Sequence, residues 1–171
     1  VEVIEYDAFG GCKSIASITI PKGVKKIGYS VFSNCENLAE VKISEGVTEI
    51  DESTFSSCVN LTTVKLPNSL TKIGDQAFLG CTKLANITIP EGVTEIGVYA
   101  FSSCENLANV SIPNSVTLIG EGAFIKCVSL TDIVIPNSVK KIDQFAFSLC
   151  DGLKSIVIPS RVTSVGANAF E

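Results

Sequence analysis

The 171-residue sequence predicts an α/β solenoid: a right-handed superhelix of 23-residue turns, with one parallel β-sheet on its concave face and short helical turns elsewhere. Three observations carry this expectation. Phe recurs at 9, 32, 55, 78, 101, 124, 147 and 170, and Cys at 12, 35, 58, 81, 104, 127 and 150, both in steps of 23. The stretch FSNCENLAEV at 32–41 returns as FSSCENLANV at 101–110, three steps later. Each unit also holds two aliphatic residues two positions apart, followed in six of seven copies by Pro. Self-similarity at a fixed period of this length marks a stack of equivalent coils.

The first element of the unit is the aliphatic pair, Ile18/Ile20, then Val41/Ile43 and so on to Ile156/Ile158. Spacing of two sends both side chains to one face of a strand, which must be the core. The residues between and beside them, such as Ser17 and Thr19 or Glu40 and Lys42, point outward and are polar in most copies. Pro lacks an N–H and ends the ladder, holding the strand to about four residues; Ser44 is the one exception. Val24 and Ile27, with their copies, continue the buried side through a bend.

The next column reads Glu5, Gly28, Asp51, Gly74, Gly97, Gly120, Asp143 and Gly166. Gly and Asp both tolerate turn backbone and both serve as helix N-caps, so the column predicts the start of a single helical turn. From Val31 and Phe32 to Cys35 and Leu38 the apolar spacing of 1, 3 and 3 suits a short helix or 3₁₀ turn that only packing can hold. No unit buries its own apolar face. Stability must come from stacking, with successive strands paired in parallel and right-handed crossovers. Seven strands spaced about 4.8 Å apart make a sheet roughly 34 Å long.

Composition sets outer bounds on function. Apolar residues at 46% and charged residues at 18% describe a globular chain. A net charge of −5 argues against nucleic-acid binding, which needs clustered Lys and Arg, and against anionic membranes. No apolar run approaches the roughly 18 residues of a membrane helix, and the start VEVIEYDAF lacks the features of a signal peptide. With no Met anywhere and with both ends falling inside repeats, the chain is expected to be a single uncapped domain of about seven repeats over 1–171, cut from a longer array.

Catalysis has little to draw on. The chain has no His, hence no Ser-His or Cys-His pair and no His-bearing metal site, and no cofactor is expected. Glu45/Glu49 and Glu91/Glu95 lie in columns shared with Lys22, Lys26, Asn68 and Lys72, the pattern of a solvated face. The seven Cys admit three readings: buried free thiols acting as small apolar residues, oxidation between coils, or metal binding. The first is favoured, because each Cys is alone in its repeat and stacked neighbours would point in parallel.

The form LxxIxIP followed by VxxIGxxAFxxC, carried by LANITIPEGVTEIGVYAFSSC at 84–104 and LTDIVIPNSVKKIDQFAFSLC at 130–150, resembles the leucine-rich repeats of the BspA-like type. The resemblance spans the whole chain, with departures at Ser44, Ile15, Val165, Val31, Thr54, Glu5, Asp51 and Asp143. It implies a leucine-rich-repeat superhelix in a secreted or cell-surface protein concerned with adhesion or the binding of an extracellular or host protein. A structural spacer presenting another domain is the alternative.

The outward strand columns are the candidate binding face. Its residues are Ser17, Thr19, Glu40, Lys42, Thr63, Lys65, Asn86, Thr88, Asn109, Ser111, Asp132 and Val134, expected along the concave surface that solenoids offer to partners. Lys42 and Lys65 are expected to sit one above the other as a positive spot. Tyr99, Leu118, Ile125, Phe145 and Leu149 occupy otherwise polar columns and form a second candidate, an exposed apolar cluster. Asn60-Leu-Thr62, Asn86-Ile-Thr88 and Asn109-Val-Ser111 match the glycosylation acceptor pattern, and glycans on the last two would block the first candidate.

Overall fold

The computed structural model describes residues 1–171. Thirteen short strands follow one another: β1 (Val3–Ile4), β2 (Ser17–Ile20), β3 (Lys26–Ile27), β4 (Glu40–Ile43), β5 (Glu49–Ile50), β6 (Thr63–Lys65), β7 (Lys72–Ile73), β8 (Asn86–Thr88), β9 (Glu95–Ile96), β10 (Asn109–Ser111), β11 (Leu118–Ile119), β12 (Lys141–Ile142) and β13 (Ser164–Val165). All pairings are parallel and every partner lies 23 residues away, as between Ile27 and Ile50 or Val41 and Val64. The coils are thus stacked in the register that the Phe and Cys spacing predicts.

The continuous ladder is not where the sequence places it. The aliphatic-pair strands make a three-stranded sheet, β2-β4-β6, and a separate two-stranded one, β8-β10, rather than a single sheet of seven. The eight-stranded ladder, β1-β3-β5-β7-β9-β11-β12-β13, runs instead through the two-residue strands that follow the bend. Proline accounts for part of the difference. The Ser44 N–H donates to the Ile20 carbonyl at 3.1 Å, and β2 and β4 are the only four-residue strands. In the other repeats Pro holds that position and the rung is missing.

The expected helical turn is absent, and the chain contains no helix. The third side of each coil is a run of tight turns. Within a coil the Ser33 N–H donates to the Ser30 carbonyl (3.0 Å) and the Cys35 N–H to that of Phe32 (3.2 Å). Between coils the N–H groups of Ser30, Phe32 and Asn34 donate to the carbonyls of Glu52, Thr54 and Ser56 at 3.0, 2.9 and 2.8 Å. Ser30 and Asn34 both have left-handed backbone, φ 54° and 58°, which no right-handed helix tolerates. Main-chain donors that a helix would turn inward are here spent on the next coil.

The Gly/Asp column therefore caps no helix. The main-chain N–H that each of Asp51 and Asp143 caps with its side chain is that of the next residue, Glu52 at 2.9 Å and Gln144 at 3.1 Å, and their carboxylates otherwise meet Lys26 and Lys141. Glycine is favoured for close approach: a Cβ at Gly74 would stand 2.8 Å from the Ile50 carbonyl oxygen of the preceding coil.

One core runs the length of the stack, 44 buried apolar residues in a single cluster. Its spine is the Phe column, whose eight rings stack nearly parallel with centroids 5.2–5.5 Å apart. Such offset contacts add about 0.5–1.5 kcal/mol per pair beyond the area they bury. No helix is long and apolar enough to cross a membrane.

Candidate functional site

Strand alternation builds the candidate face. In β4, Val41 and Ile43 are buried while Glu40 and Lys42 are exposed, and the other aliphatic-pair strands keep the same outward set. All twelve residues from Ser17 to Val134 that the sequence assigns to this face are solvent-exposed. Register lines them up: Ser17 with Glu40 and Thr63, and Thr19 with Lys42 and Lys65. Asn86 stands beside Asn109 and Thr88 beside Ser111, with the Asn109 amide donating to the Asn86 side-chain oxygen at 2.8 Å. The expected Lys42–Lys65 pair is present, and neither lysine forms an ion pair.

The twelve do not form one unbroken ribbon. Pairing stops between β6 and β8, where a depression of about 290 Å³ is lined by Val64, Lys65, Leu66, Asn68, Asn86, Ile87, Thr88 and Pro90. It stops again after β10, so Asp132 and Val134 belong to neither sheet. Sequence periodicity gave no sign of these interruptions, because the side-chain pattern continues through them.

Side-chain bonds between coils are concentrated away from this face. Elsewhere polar residues tie one coil to the next: Thr62 donates to the Ala39 carbonyl (3.1 Å), Thr71 to that of Thr48 (2.9 Å), Asn37 to that of Lys13 (2.7 Å) and Asn60 to that of Glu36 (2.8 Å). Of the twelve candidate residues only Asn86 and Asn109 make a side-chain hydrogen bond, and that one is to each other. The remaining polar groups have no internal partner and are available to a ligand.

The second candidate does not hold as an exposed cluster. Tyr99, Leu118, Ile125 and Phe145 are half-buried and only Leu149 is exposed. The turn segment folds them against neighbouring coils, as Tyr99 shows by lying over Gly122 and donating from its hydroxyl to Glu121 Oε1 at 3.0 Å. That bond and the Glu121 charge raise the Tyr99 pKa.

The cysteines are all free, and six are buried. They do more than fill space. Each buried thiol donates to the Phe carbonyl of the preceding coil, Cys58 to Phe32 at 3.1 Å and Cys104 to Phe78 at 3.2 Å among them, giving a ladder of S–H to carbonyl contacts along the core. Burial pushes Cys58 up to about 12 and Cys150 to about 11, and holds Cys81, Cys104 and Cys127 well above the ordinary 9.0. Such thiols are poor nucleophiles. No group of three or more Cys, Asp and Glu side chains converges where a metal ion would sit.

Comparison with known proteins gives a consistent result. The family described as "BspA type Leucine rich repeat region (6 copies)" matches residues 1–82 and 72–171, which together span the chain. A leucine-rich repeat protein from Bacteroides ovatus is 40% identical with a TM-score of 0.92, over 97% of this chain and 43% of that one. The T. pallidum leucine-rich repeat protein TpLRR is 33% identical with a TM-score of 0.84, over 89% of this chain and 73% of that one. The pneumococcal vaccine antigen PcpA shares the fold at 22% identity and a TM-score of 0.57, over 97% of this chain and 50% of that one. This chain spans less than half the length of the Bacteroides ovatus protein. No curated protein matches it.

Proposed function

Because the chain belongs to the BspA-type leucine-rich repeat proteins, we propose that it is a non-enzymatic protein-binding module of a cell-surface or secreted protein. Its binding face is the outward surface of the aliphatic-pair strands, and its partner is an extracellular or host protein. One observation carries this reading: on the other sides polar side chains such as Asn37, Asn60, Thr62 and Thr71 bond to the neighbouring coil, while those of Ser17, Thr19, Glu40, Lys42, Thr63, Lys65, Thr88, Ser111 and Asp132 have no internal partner. An exposed row of unengaged donors, acceptors and charges on a rigid support meets the general requirement of a recognition surface. The BspA-like resemblance supports the surface location.

A second reading, a spacer holding another domain away from the cell wall, is favoured by the uninterrupted Phe stack and eight-stranded ladder, which make the stack a stiff rod. The two differ in what they tolerate. The parent and a Lys42→Glu/Lys65→Glu/Asn86→Ala/Asn109→Ala variant of unchanged melting temperature are compared by biolayer interferometry against extracellular-matrix and cell-surface proteins. Binding by the parent that the variant loses supports the recognition face. No binding by either, with function lost only when 23-residue units are deleted, supports the spacer.

A further inference from the structure

The eight-stranded ladder turns one column of side chains outward, and that column alternates in charge. From β1 to β11 it reads Val3, Lys26, Glu49, Lys72, Glu95 and Leu118, each one coil from the next by the parallel register. All are exposed except Leu118, which is half-buried. Lys26 reaches Asp51 at 3.6 Å, whereas Glu49, Lys72 and Glu95 form no ion pair. Beside this column runs a row of threonines, Thr48, Thr71, Thr94 and Thr117. The hydroxyls of Thr71 and Thr117 are spent on main-chain carbonyls of the preceding coil, at 2.9 and 3.3 Å.

Order along the strip specifies an occupant. Reversed end for end, the column presents Leu118, Glu95, Lys72, Glu49, Lys26 and Val3, which sets an opposite charge against every charge of the original and an apolar side chain against each apolar end. A second copy turned about a two-fold axis parallel to the strands, between β5 and β7, makes these meetings: Val3 with Leu118, Lys26 with Glu95 and Glu49 with Lys72, each twice by symmetry. Thr48 then faces Thr71. Sliding the copy by one coil brings like charges together, Glu49 on Glu95 or Lys26 on Lys72. Docking it with the coils running in the same order sets Lys26 on Lys26. One closed arrangement alone is complementary in this column.

We infer that the strip is a self-association surface whose occupant is a second copy of the chain, packed face to face with its coils in the opposite order. Opposite charges across an interface fix its register, and like charges disfavour the alternatives. A strip two residues wide lies at the small, transient end of interface sizes, and Glu52 and Asp75 of the adjacent turn column meet as like charges near the axis, so the dimer is weak and salt-sensitive. The aliphatic-pair strands lie on another side of the coil and stay free, so the dimer displays that face twice and gains avidity for a partner with repeated sites.

Sedimentation velocity of the intact chain, from micromolar to near-millimolar concentration, should show a monomer-dimer equilibrium that moves about tenfold toward monomer when salt is raised to molar levels. A Lys26→Glu/Glu49→Lys/Lys72→Glu/Glu95→Lys variant keeps the alternation along its own ladder, giving up only the exposed Lys26 to Asp51 pair, and it too should dimerise. Parent and variant should not pair with each other, because every charged meeting in a mixed dimer is between like charges. Native mass spectrometry of an equimolar mixture, one component isotope-labelled, should find mixed dimers depleted about tenfold below their statistical share. Leu118→Lys, which sets a charge against Val3, should weaken the parent dimer by about tenfold at unchanged melting. A statistical share of mixed dimers, or a dimer indifferent to Leu118→Lys, places the contact elsewhere and overturns the inference. So does a parent that stays monomeric throughout or grows into open chains.

Discussion

Raising the pH from 7 to 10 is expected to strip the protein of much of its stability through its thiols. In the folded chain, burial keeps Cys58, Cys81, Cys104 and Cys127 protonated well beyond the ordinary 9.0, Cys58 up to about 12. The unfolded chain releases those protons around 9, so above that pH it binds fewer protons than the folded chain and stability falls with rising pH. Below the unfolded value the effect vanishes. Each thiol contributes RT ln(1 + 10^(pH − 9)), about 0.4 kcal/mol at pH 9 and about 1.4 kcal/mol at pH 10. Four together remove about 6 kcal/mol at pH 10, against a typical total of about 5–15 kcal/mol. The assay is urea unfolding by far-UV circular dichroism at pH 7, 9 and 10 with reductant. A Cys81→Ala/Cys104→Ala variant separates thiols from lysines and tyrosines: weaker at pH 7, it should lose about 3 kcal/mol less than the parent at pH 10. A parent midpoint flat across this range, or a variant that falls as steeply as the parent, would refute the reasoning.

Three further outcomes are expected. In the native state at pH 8 a thiol reagent should label Cys12, which is half-buried, quickly and the other six only on unfolding; rapid labelling of Cys81 would contradict the packed core. Ser44→Pro restores the residue found in the other repeats yet removes the Ser44 to Ile20 hydrogen bond, so it should cost about 1 kcal/mol in urea unfolding; a gain would show that the rung contributes nothing. Lys126 is exposed with φ 62°, in a column where Gly11 and Gly80 share left-handed backbone, and Lys126→Gly should stabilise by about 0.5–1 kcal/mol. Destabilisation would place the strain elsewhere.

Where sequence reasoning succeeded, it did so because burial is periodic. Phe32, Cys35, Leu38 and their copies through the middle coils are fully buried, and the 23-residue step fixes which residues become neighbours, so the period alone sets Lys42 beside Lys65. The outward assignment of all twelve face residues follows from the same alternation. Where it failed, the missing information was main-chain pairing. Val31 to Leu38 has the apolar spacing of a helical turn, but spacing reports which side chains face the core and is silent on whether the Phe32 N–H bonds within its own coil or to Thr54 of the next.

The repeat, the register, the core columns and the identity of the exposed strand face are all encoded in side-chain polarity at a fixed period. That turns replace the helix, and that the unbroken ladder runs through Lys26–Ile27 and its equivalents, emerges when the coils stack. So do the bonds from the thiols to Phe carbonyls and the end of strand pairing after β10. Each depends on a hydrogen bond between groups roughly one coil apart, made or withheld by how closely the coils approach, and no local pattern of side chains encodes that distance.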